Sequence, residues 1–283
     1  MMSGTDLIII GGGPAGCAAA VMAASIGLTS TIIEPKARLG GALWRIAAID
    51  NFLGGYRTGP SLAAAVLADV ERAAPDVVQA EATHVEASVG SVRVTLASGD
   101  QVTGKHVVVA TGVAPVQPHD SAWIAAPTHL ALPPLWEVEP DGAAGQTWLV
   151  LGADRPLGTF LRAHPELDVK LLVPHPSSDA YKAEEVAGDP RVTLIPVDSL
   201  AIDQSLVAQP GDLHGDLTFT NIGVAPVVIG GLVRDADGCY PVDGQHPRVH
   251  IAGDLRSPRG QRVQTAMGSG AEAALNAYYA MRL

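Results

Sequence analysis

The chain carries two glycine-rich turns, and only the first has all three glycines of the pattern G-x-G-x-x-G. There an apolar strand runs into Gly11, Gly13 and Gly16. The first glycine of such a turn permits a tight bend, the second lets the backbone approach a pyrophosphate, and the third lets helix and strand pack closely. Pro14 and Ala15 begin a helix whose free N–H groups favour an anion. This turn therefore predicts a dinucleotide site.

An acidic residue stands where such a site needs one. Glu34 closes the second predicted strand, eighteen residues after Gly16, and Pro35 follows it. A carboxylate at this spacing can accept hydrogen bonds from an adenosine ribose. A glycine-rich turn without a ligand is the alternative, but the strand, the helix and the acid together favour binding.

The second turn departs from the pattern at two of its three glycines. Gly152 is present, but Asp154 replaces the second glycine and Leu157 the third. Two negative charges about 4 Å apart near a protein surface repel by roughly 4 kcal/mol, which lowers affinity by up to about a thousandfold. Arg155 could offset part of this. The following strand ends at Val173 with neither the acid that suits NAD nor the arginine that suits NADP. A working nicotinamide site is therefore not expected.

Composition excludes several classes of function. The net charge of −11 disfavours nucleic acid as a partner. No apolar run approaches the roughly 18–20 residues that span a membrane, and the start of the chain resembles no signal peptide. The two cysteines, Cys17 and Cys239, suggest neither a disulfide framework nor a metal site. We expect a cytoplasmic protein without a structural metal.

The predicted elements that position these turns indicate an α/β chain with two Rossmann-like (three-layer ββα) domains, the second inserted in the first. Each domain begins with a strand–turn–helix–strand unit. We expect an FAD-type domain from 1–117 and 245–283 and a degenerate NAD(P)H-type domain from 118–244. The other predicted elements are a helix at 61–73, a β meander at 77–109, strands near 192–197, 217–220, 226–229 and 248–252, and a last helix at 263–281.

Four segments, in this order, resemble the low-molecular-weight thioredoxin reductase family of the pyridine nucleotide-disulfide oxidoreductase superfamily. They span the length of the chain. The resemblance implies FAD as the cofactor and a homodimer. The segments are the first glycine turn with Glu34, then Gly40-Gly41 with Ile49–Phe52, then Val109–Gly112, and finally Ile251–Asp254 with Thr265–Gly270.

The resemblance also assigns positions along FAD. Asn51 would lie along the cofactor, and Asp254 would bond the ribityl chain. The backbone around Val263 would face the pyrimidine edge of the flavin, where a helix N-terminus favours reduced flavin. Gln261-Arg262 reverses the family's usual order, which leaves the role of Arg262 open, and a simple Gly-Asp turn is the alternative at Asp254. The predicted FAD-binding set is Gly11, Gly13, Pro14, Ala15, Gly16, Glu34, Pro35, Gly41, Asn51, Ala110, Thr111, Gly112, Gly253, Asp254, Arg262, Val263 and Thr265.

The family's redox-active Cys-x-x-Cys pair is absent. Counting back from Gly152, the pair would fall on Leu135 and Val138, where no thiol stands. A dithiol–disulfide relay by this route is therefore excluded. Cys17 lies in the first turn of the first helix, and a small buried residue is its favoured interpretation.

A few other side chains could act on a substrate. Trp136 and Glu137 lie between the two replaced cysteine positions and would face the flavin, although packing and solvent contact are the alternative. His129 is a possible acid–base group near the same loop. Trp44 and Arg45 follow Gly40-Gly41 and could line the flavin cavity, with the arginine holding a carboxylate. The catalytic candidates are Trp136, Glu137 and His129.

These features favour an FAD-dependent oxidoreductase that takes electrons directly from a small organic substrate. Oxygen or an external carrier would reoxidise the flavin. An NAD(P)H- or ferredoxin-linked flavin reductase with an atypical donor site is the first alternative. A non-catalytic flavin-binding accessory protein is the second.

Overall fold

The computed structural model describes residues 4–282, which form two compact units. Unit 1 comprises residues up to 114 together with 225 onward, and unit 2 comprises 115–224. In chain order the strands and helices are β1 Thr5–Ile10, α1 Pro14–Ser25, β2 Ser30–Ile33, α2 Gly59–Ala73, β3 Asp76–Val78, β4 Ala82–Ala87, β5 Val92–Leu96, β6 Gln101–Val109, β7 Val113–Pro115, β8 Ile124–Ala125, β9 Gln146–Leu151, α3 Pro156–Ala163, β10 Val169–Pro176, α4 Ala180–Ala183, β11 Val192–Val197, β12 Leu200–Ile202, β13 Ala208–Gln209, β14 Leu217–Thr220, β15 Val224–Pro226, β16 Val249–Ile251 and α5 Val263–Ala280.

Unit 1 is built on a seven-stranded sheet with the order β3-β2-β1-β6-β5-β4, in which β16 also pairs with β6. Strands β3, β2, β1, β6 and β16 run parallel to one another, whereas β5 pairs antiparallel with the first half of β6 and β4 pairs antiparallel with β5. Leu7 and Ile9 pack into one core and Ile8 and Ile10 into another, because alternate side chains face opposite sides of a strand. Burial on both faces explains the continuous apolar run of β1.

Unit 2 contains a second parallel sheet. Its four strands have the order β11-β10-β9-β14, and a smaller sheet has the order β13-β12-β8. Helix α3 connects β9 to β10, which completes the second strand–turn–helix–strand unit. The predicted α/β class with two Rossmann-like domains is therefore confirmed.

Two expectations about unit 1 are corrected. The predicted meander at 77–109 is wrong for its first strand, because β3 pairs in parallel with β2 at the opposite edge of the sheet. A strand that follows β2 through a helical crossover must return parallel to it. The strand predicted at 226–229 is also wrong, since β15 ends at Pro226.

The segment 225–244 lies in unit 1, whereas the sequence pattern predicts it in the inserted domain. Ile229 and Tyr240 are buried in the core beside Val85. The Ile229 N–H donates to the Tyr240 hydroxyl at 2.8 Å, and the Val85 N–H donates to the Gly230 carbonyl at 2.9 Å. The segment thus packs along β4, and these contacts between residues distant in sequence set the boundary.

Two neighbouring histidines in unit 1, one buried and one partly buried, predict a loss of stability in acid. His106 on β6 and His250 on β16 stack with ring centroids 5.3 Å apart, and their facing ring nitrogens are 3.0 Å apart. Burial, reinforced by the Arg248 charge, lowers the pKa of His106 to about 4. Burial, reinforced by His106, lowers the pKa of His250 to about 4. Unfolded histidine takes up a proton near pH 6.5, so stability present above that pH falls as the pH drops towards 4.

We expect His250→Asn to flatten this dependence. The melting temperature of the variant should fall less than that of the parent protein between pH 7.5 and pH 5. His129→Asn is the matched control, because His129 is exposed. Its loss should leave the change of melting temperature with pH as it is in the parent protein. Equal slopes for the parent and His250→Asn would contradict the prediction.

Candidate functional site

In the first glycine turn, protein packing requires a glycine at Gly11 and at Gly16 but not at Gly13. A Cβ atom on Gly11 would lie 2.4 Å from the Ala110 carbonyl oxygen, and one on Gly16 would lie 1.8 Å from the Gly11 oxygen. Gly13 has an ordinary φ of −75°, and a Cβ there would meet nothing within 4 Å. Protein packing therefore does not explain Gly13. It leaves room at the N-terminus of α1, where a pyrophosphate would approach.

Glu34 is held beside this turn by the backbone. Its Oε2 accepts a hydrogen bond from the Gly12 N–H at 2.7 Å, and its Oε1 accepts one from the Lys36 N–H at 3.0 Å. Each carboxylate oxygen retains a further lone pair for a ribose hydroxyl. The spacing of Glu34 from the turn does not reveal that its carboxylate also braces the turn. Pro35, next to it, is exposed.

The segment that follows Gly40 packs on the same turn. A Cβ on Gly41 would lie 3.1 Å from the Gly13 Cα, so the structure brings these two predicted residues together. Gly41 begins a single 3₁₀ turn that ends at Arg45, where burial lowers the pKa of the guanidinium. The Trp44 indole N–H donates to the Leu39 carbonyl at 2.7 Å. Asn51 lies exposed in the loop that follows.

The segment Ala110–Gly112 continues from β6 next to the turn. The Ala110 N–H donates to the Ile10 carbonyl at 2.8 Å. Among residues 4–282, the buried Thr111 Oγ1 has no hydrogen-bond partner. An unpartnered buried hydroxyl is costly, so a ligand that supplies a partner fits this position. Gly112 has a φ of +67° and open space where a Cβ would be.

Asp254 is a partly buried carboxyl group of unit 1. Burial raises its pKa to about 6, although the Arg262 charge opposes the shift. Gly253 precedes it with a φ of +86°, and the Gly253 N–H donates to the Ser269 hydroxyl at 2.9 Å. A carboxylate kept partly from water in this way gains when a ligand hydroxyl donates to it.

The last helix begins close to Asp254. Val263 is the first residue of α5, and the Arg262 N–H donates to the Thr265 hydroxyl at 3.2 Å. Thr265 thus caps the helix, and the Arg262 side chain is exposed. A Cβ on Gly270 would lie 2.0 Å from the Ala15 carbonyl, so α5 and α1 pack closely.

One edge of the sheet gathers most of these residues. Ile10 pairs with Ile33 and with Val109, and Val109 pairs with Ile251. The carboxyl ends of these parallel strands therefore meet, and the residues that follow them include Gly11, Glu34, Ala110 and Gly253 of the predicted set. Ligands of open α/β sheets bind at this edge.

An ion pair lies at the second turn, where the first turn has the open space at Gly13. The Asp154 carboxylate lies 3.2 Å from the Lys182 ammonium, which is 3.3 Å from Asp179. Burial opposes the charged form of Lys182, but the two carboxylates raise its pKa. The expected counter-charge, Arg155, is exposed and is not the residue that meets Asp154. Sequence reasoning missed Lys182, because no local pattern links it to the turn.

The two positions where the resemblance would place cysteines hold apolar residues of a hydrophobic core. Leu135 is fully buried, and Val138 packs against the same cluster. Trp136 is partly buried and Glu137 is exposed on the short 3₁₀ turn between them. His129 is exposed, with its Nε2 2.6 Å from the Gln204 side-chain nitrogen. The catalytic roles of Trp136, Glu137 and His129 stay predictions.

Both thiols are expected to be unreactive in the folded protein. Cys17 is fully buried and Cys239 is 3% exposed. Burial raises the pKa of Cys17 to about 11 and also raises the pKa of Cys239, with Asp235 adding to the shift. The thiolate is the reactive form, so a thiol reagent at pH 8 should label neither cysteine in native protein and both in denaturant. Rapid native labelling of Cys17 would contradict the structural role.

Among residues 4–282, no group of three or more metal-ligating side chains comes together. The helices in this range include none that is both long enough and apolar enough to cross a membrane.

Several known proteins are similar to this chain. Residues 5–125 match the family model described as pyridine nucleotide-disulphide oxidoreductase. The F subunit of alkyl hydroperoxide reductase in Staphylococcus epidermidis is 26% identical over 314 aligned residues, which cover 96% of this chain and 58% of that protein. The corresponding protein of Staphylococcus aureus (strain Mu50) gives the same values over 313 residues. The chain thus spans little more than half the length of these curated relatives.

Solved structures extend the likeness to the whole fold. Thioredoxin reductase of Lactococcus lactis has a TM-score of 0.74 at 21% identity, covering 99% of this chain and 100% of its own. The T. acidophilum enzyme has the same TM-score at 19% identity, covering 99% of both chains. The fold is that of the thioredoxin reductases. Residues 5–125, which resemble the pyridine nucleotide-disulphide oxidoreductase family, carry the first glycine turn, Glu34 and Thr111, and the FAD predicted from the sequence is the cofactor of that family.

Proposed function

We propose that this protein is an FAD-dependent oxidoreductase that takes electrons directly from a small organic substrate, without a redox-active cysteine pair and without NAD(P)H. The observation that carries the proposal is the apolar packing of Leu135 and Val138. Leu135 and Val138 fill these positions with apolar side chains that cannot exchange electrons with a flavin. Oxygen or an external carrier is the proposed acceptor.

The residues of unit 1 have assigned tasks in this proposal. Bound FAD supplies an acceptor for two electrons. The open space at Gly13 and the α1 N-terminus hold the pyrophosphate, and Glu34 holds the adenosine ribose. Thr111 gains its missing partner from the cofactor, and Asp254 accepts a ribityl hydroxyl. The first N–H groups of α5, from Val263 onward, face the pyrimidine edge and favour negative charge there.

The test is anaerobic mixing of the purified FAD-loaded protein with NADPH and with NADH, with flavin absorbance as the readout. We expect no rapid bleaching with either nucleotide, because unit 2 presents the Asp154 carboxylate to a pyrophosphate. Photoreduced protein exposed to air should recover its oxidised spectrum if oxygen is the acceptor. Rapid bleaching by NADPH would overturn the proposal.

A reductase with an atypical donor site is the second candidate. It is favoured by Lys182, which neutralises part of the Asp154 charge that a nucleotide would meet. The same mixing experiment, extended to reduced ferredoxin, distinguishes the two. Flavin that no donor or candidate substrate reduces would instead support an accessory flavin-binding role.

Two further properties stay predictions. The homodimer implied by the family resemblance can be measured by light scattering of the FAD-loaded protein. The cytoplasmic location can be measured by fractionation of the source cells.

A further inference from the structure

The two glycine turns differ in what occupies their second glycine position. In unit 1, a Cβ on Gly13 would meet nothing within 4 Å. In unit 2, the Asp154 carboxylate fills this position and lies 3.2 Å from the Lys182 ammonium. We propose that this ion pair prevents dinucleotides from binding to unit 2. In this proposal Lys182 is a cation able to bind phosphate, but its ammonium group is paired with Asp154 instead. The inference rests on the proposed function, which denies unit 2 a nicotinamide nucleotide.

The ion pair is sheltered rather than fully solvated. The side chains of Asp154, Asp179 and Lys182 are each 19% exposed. Ion pairs screened less by water interact more strongly than exposed ones. Lys182 lies between two carboxylates, so a phosphate must compete with both of them for the ammonium group. The cluster as a whole carries a net negative charge.

The backbone of the same turn also forms hydrogen bonds with other groups of unit 2. The Asp154 carbonyl accepts the Leu157 N–H at 3.0 Å and the Asn221 side-chain N–H at 2.9 Å. One of the first N–H groups of α3 is therefore already used. A dinucleotide that approaches this turn meets the Asp154 carboxylate, a lysine already paired with carboxylates, and fewer unbonded backbone N–H groups. Unit 1 instead offers open space at Gly13.

Removing the carboxylate should recover phosphate binding. The experiment titrates FAD-loaded protein with ADP, and separately with NADPH, by calorimetry. We expect Asp154→Gly to bind ADP roughly ten- to a thousandfold more tightly than the parent protein, because the repulsion is lost and Lys182 keeps Asp179 as its one carboxylate partner of the two. Asp154→Asn, which keeps the bulk and removes the charge, should show a smaller gain. Asp154→Gly combined with Lys182→Met should lose most of the gain.

Asp179→Asn is the matched control. It removes one carboxylate from Lys182 but leaves Asp154 in the turn, so its ADP affinity should stay within about threefold of the parent value. Flavin content and melting temperature establish that each variant is folded. A folded Asp154→Gly variant that binds ADP no more tightly than the parent would overturn the inference, as would an equal gain in Asp179→Asn. Flavin bleaching of the parent by NADPH would instead overturn the proposed function.

Discussion

Gly13→Asp is expected to strip FAD from the protein and leave unit 1 folded. The substitution places in the intact turn the residue that stands at the equivalent position of unit 2. Gly13 has a φ of −75° and no atom within 4 Å of a Cβ, so the aspartate should cause no backbone strain and no clash with the protein. Its carboxylate would meet the pyrophosphate. Repulsion of roughly 4 kcal/mol between charges about 4 Å apart lowers affinity by about a thousandfold.

The measurement is the ratio of flavin to protein absorbance in the purified variant, followed by titration with FAD. Gly90→Asp is the matched control, because a Cβ on Gly90 also meets nothing within 4 Å and Gly90 lies in a loop away from the turn. The control should retain its flavin. The FAD-free forms of both variants should melt close to the FAD-free parent protein. A Gly13→Asp variant with full flavin content would refute the assignment of the turn.

Much of unit 1 follows from local sequence, because its site lies where strands end. Strand β2 ends at Ile33, directly before the Glu34 that the sequence predicts to close it. A continuous apolar run, a glycine pattern and an acid at fixed spacing are all local signals. The topology of a parallel sheet then brings the ends of β1, β2, β6 and β16 to one edge. The part of the predicted set that directly follows these strands therefore converges without any knowledge of distant contacts.

The features that the sequence did not predict depend on contacts between distant residues. Lys182 meets Asp154 across α3 and β10, and nothing near either residue signals the pairing. The segment 225–244 joins unit 1 because Tyr240 is buried beside β4. The sequence pattern predicts β3 as part of a meander, but the crossover through α2 places this strand beside β2. Spacing alone sets neither which charges meet nor which edge a short strand joins.

Asp254→Asn should stabilise the FAD-free protein above pH 6 and weaken FAD binding. Burial raises the pKa of Asp254 from 3.8 to about 6. The folded state therefore holds this proton over a pH range in which the unfolded state releases it, and stability falls as the pH rises from 3.8 to 6. Above that range the ionised carboxylate destabilises the folded protein by about 1–2 kcal/mol, after discounting for partial exposure. The neutral amide removes this penalty.

The amide also replaces a charged acceptor for a cofactor hydroxyl with a neutral one. Loss of a charge-assisted hydrogen bond worth about 1.5–3 kcal/mol should weaken FAD binding by roughly ten- to a hundredfold. FAD-free Asp254→Asn should melt a few degrees above the FAD-free parent at pH 8 and together with it at pH 4. The exposed Asp243 gives the control, since Asp243→Asn should change neither quantity.

Opposite signs separate a ligand-binding role for Asp254 from a purely structural one. A side chain that only supports the fold should lower stability and FAD affinity together when it is replaced. A carboxylate kept in an unfavourable site for its ligand should raise the stability of the FAD-free protein and lower the affinity. An Asp254→Asn variant that is less stable at pH 8 would place Asp254 in the first class, and the ribityl assignment would then fail.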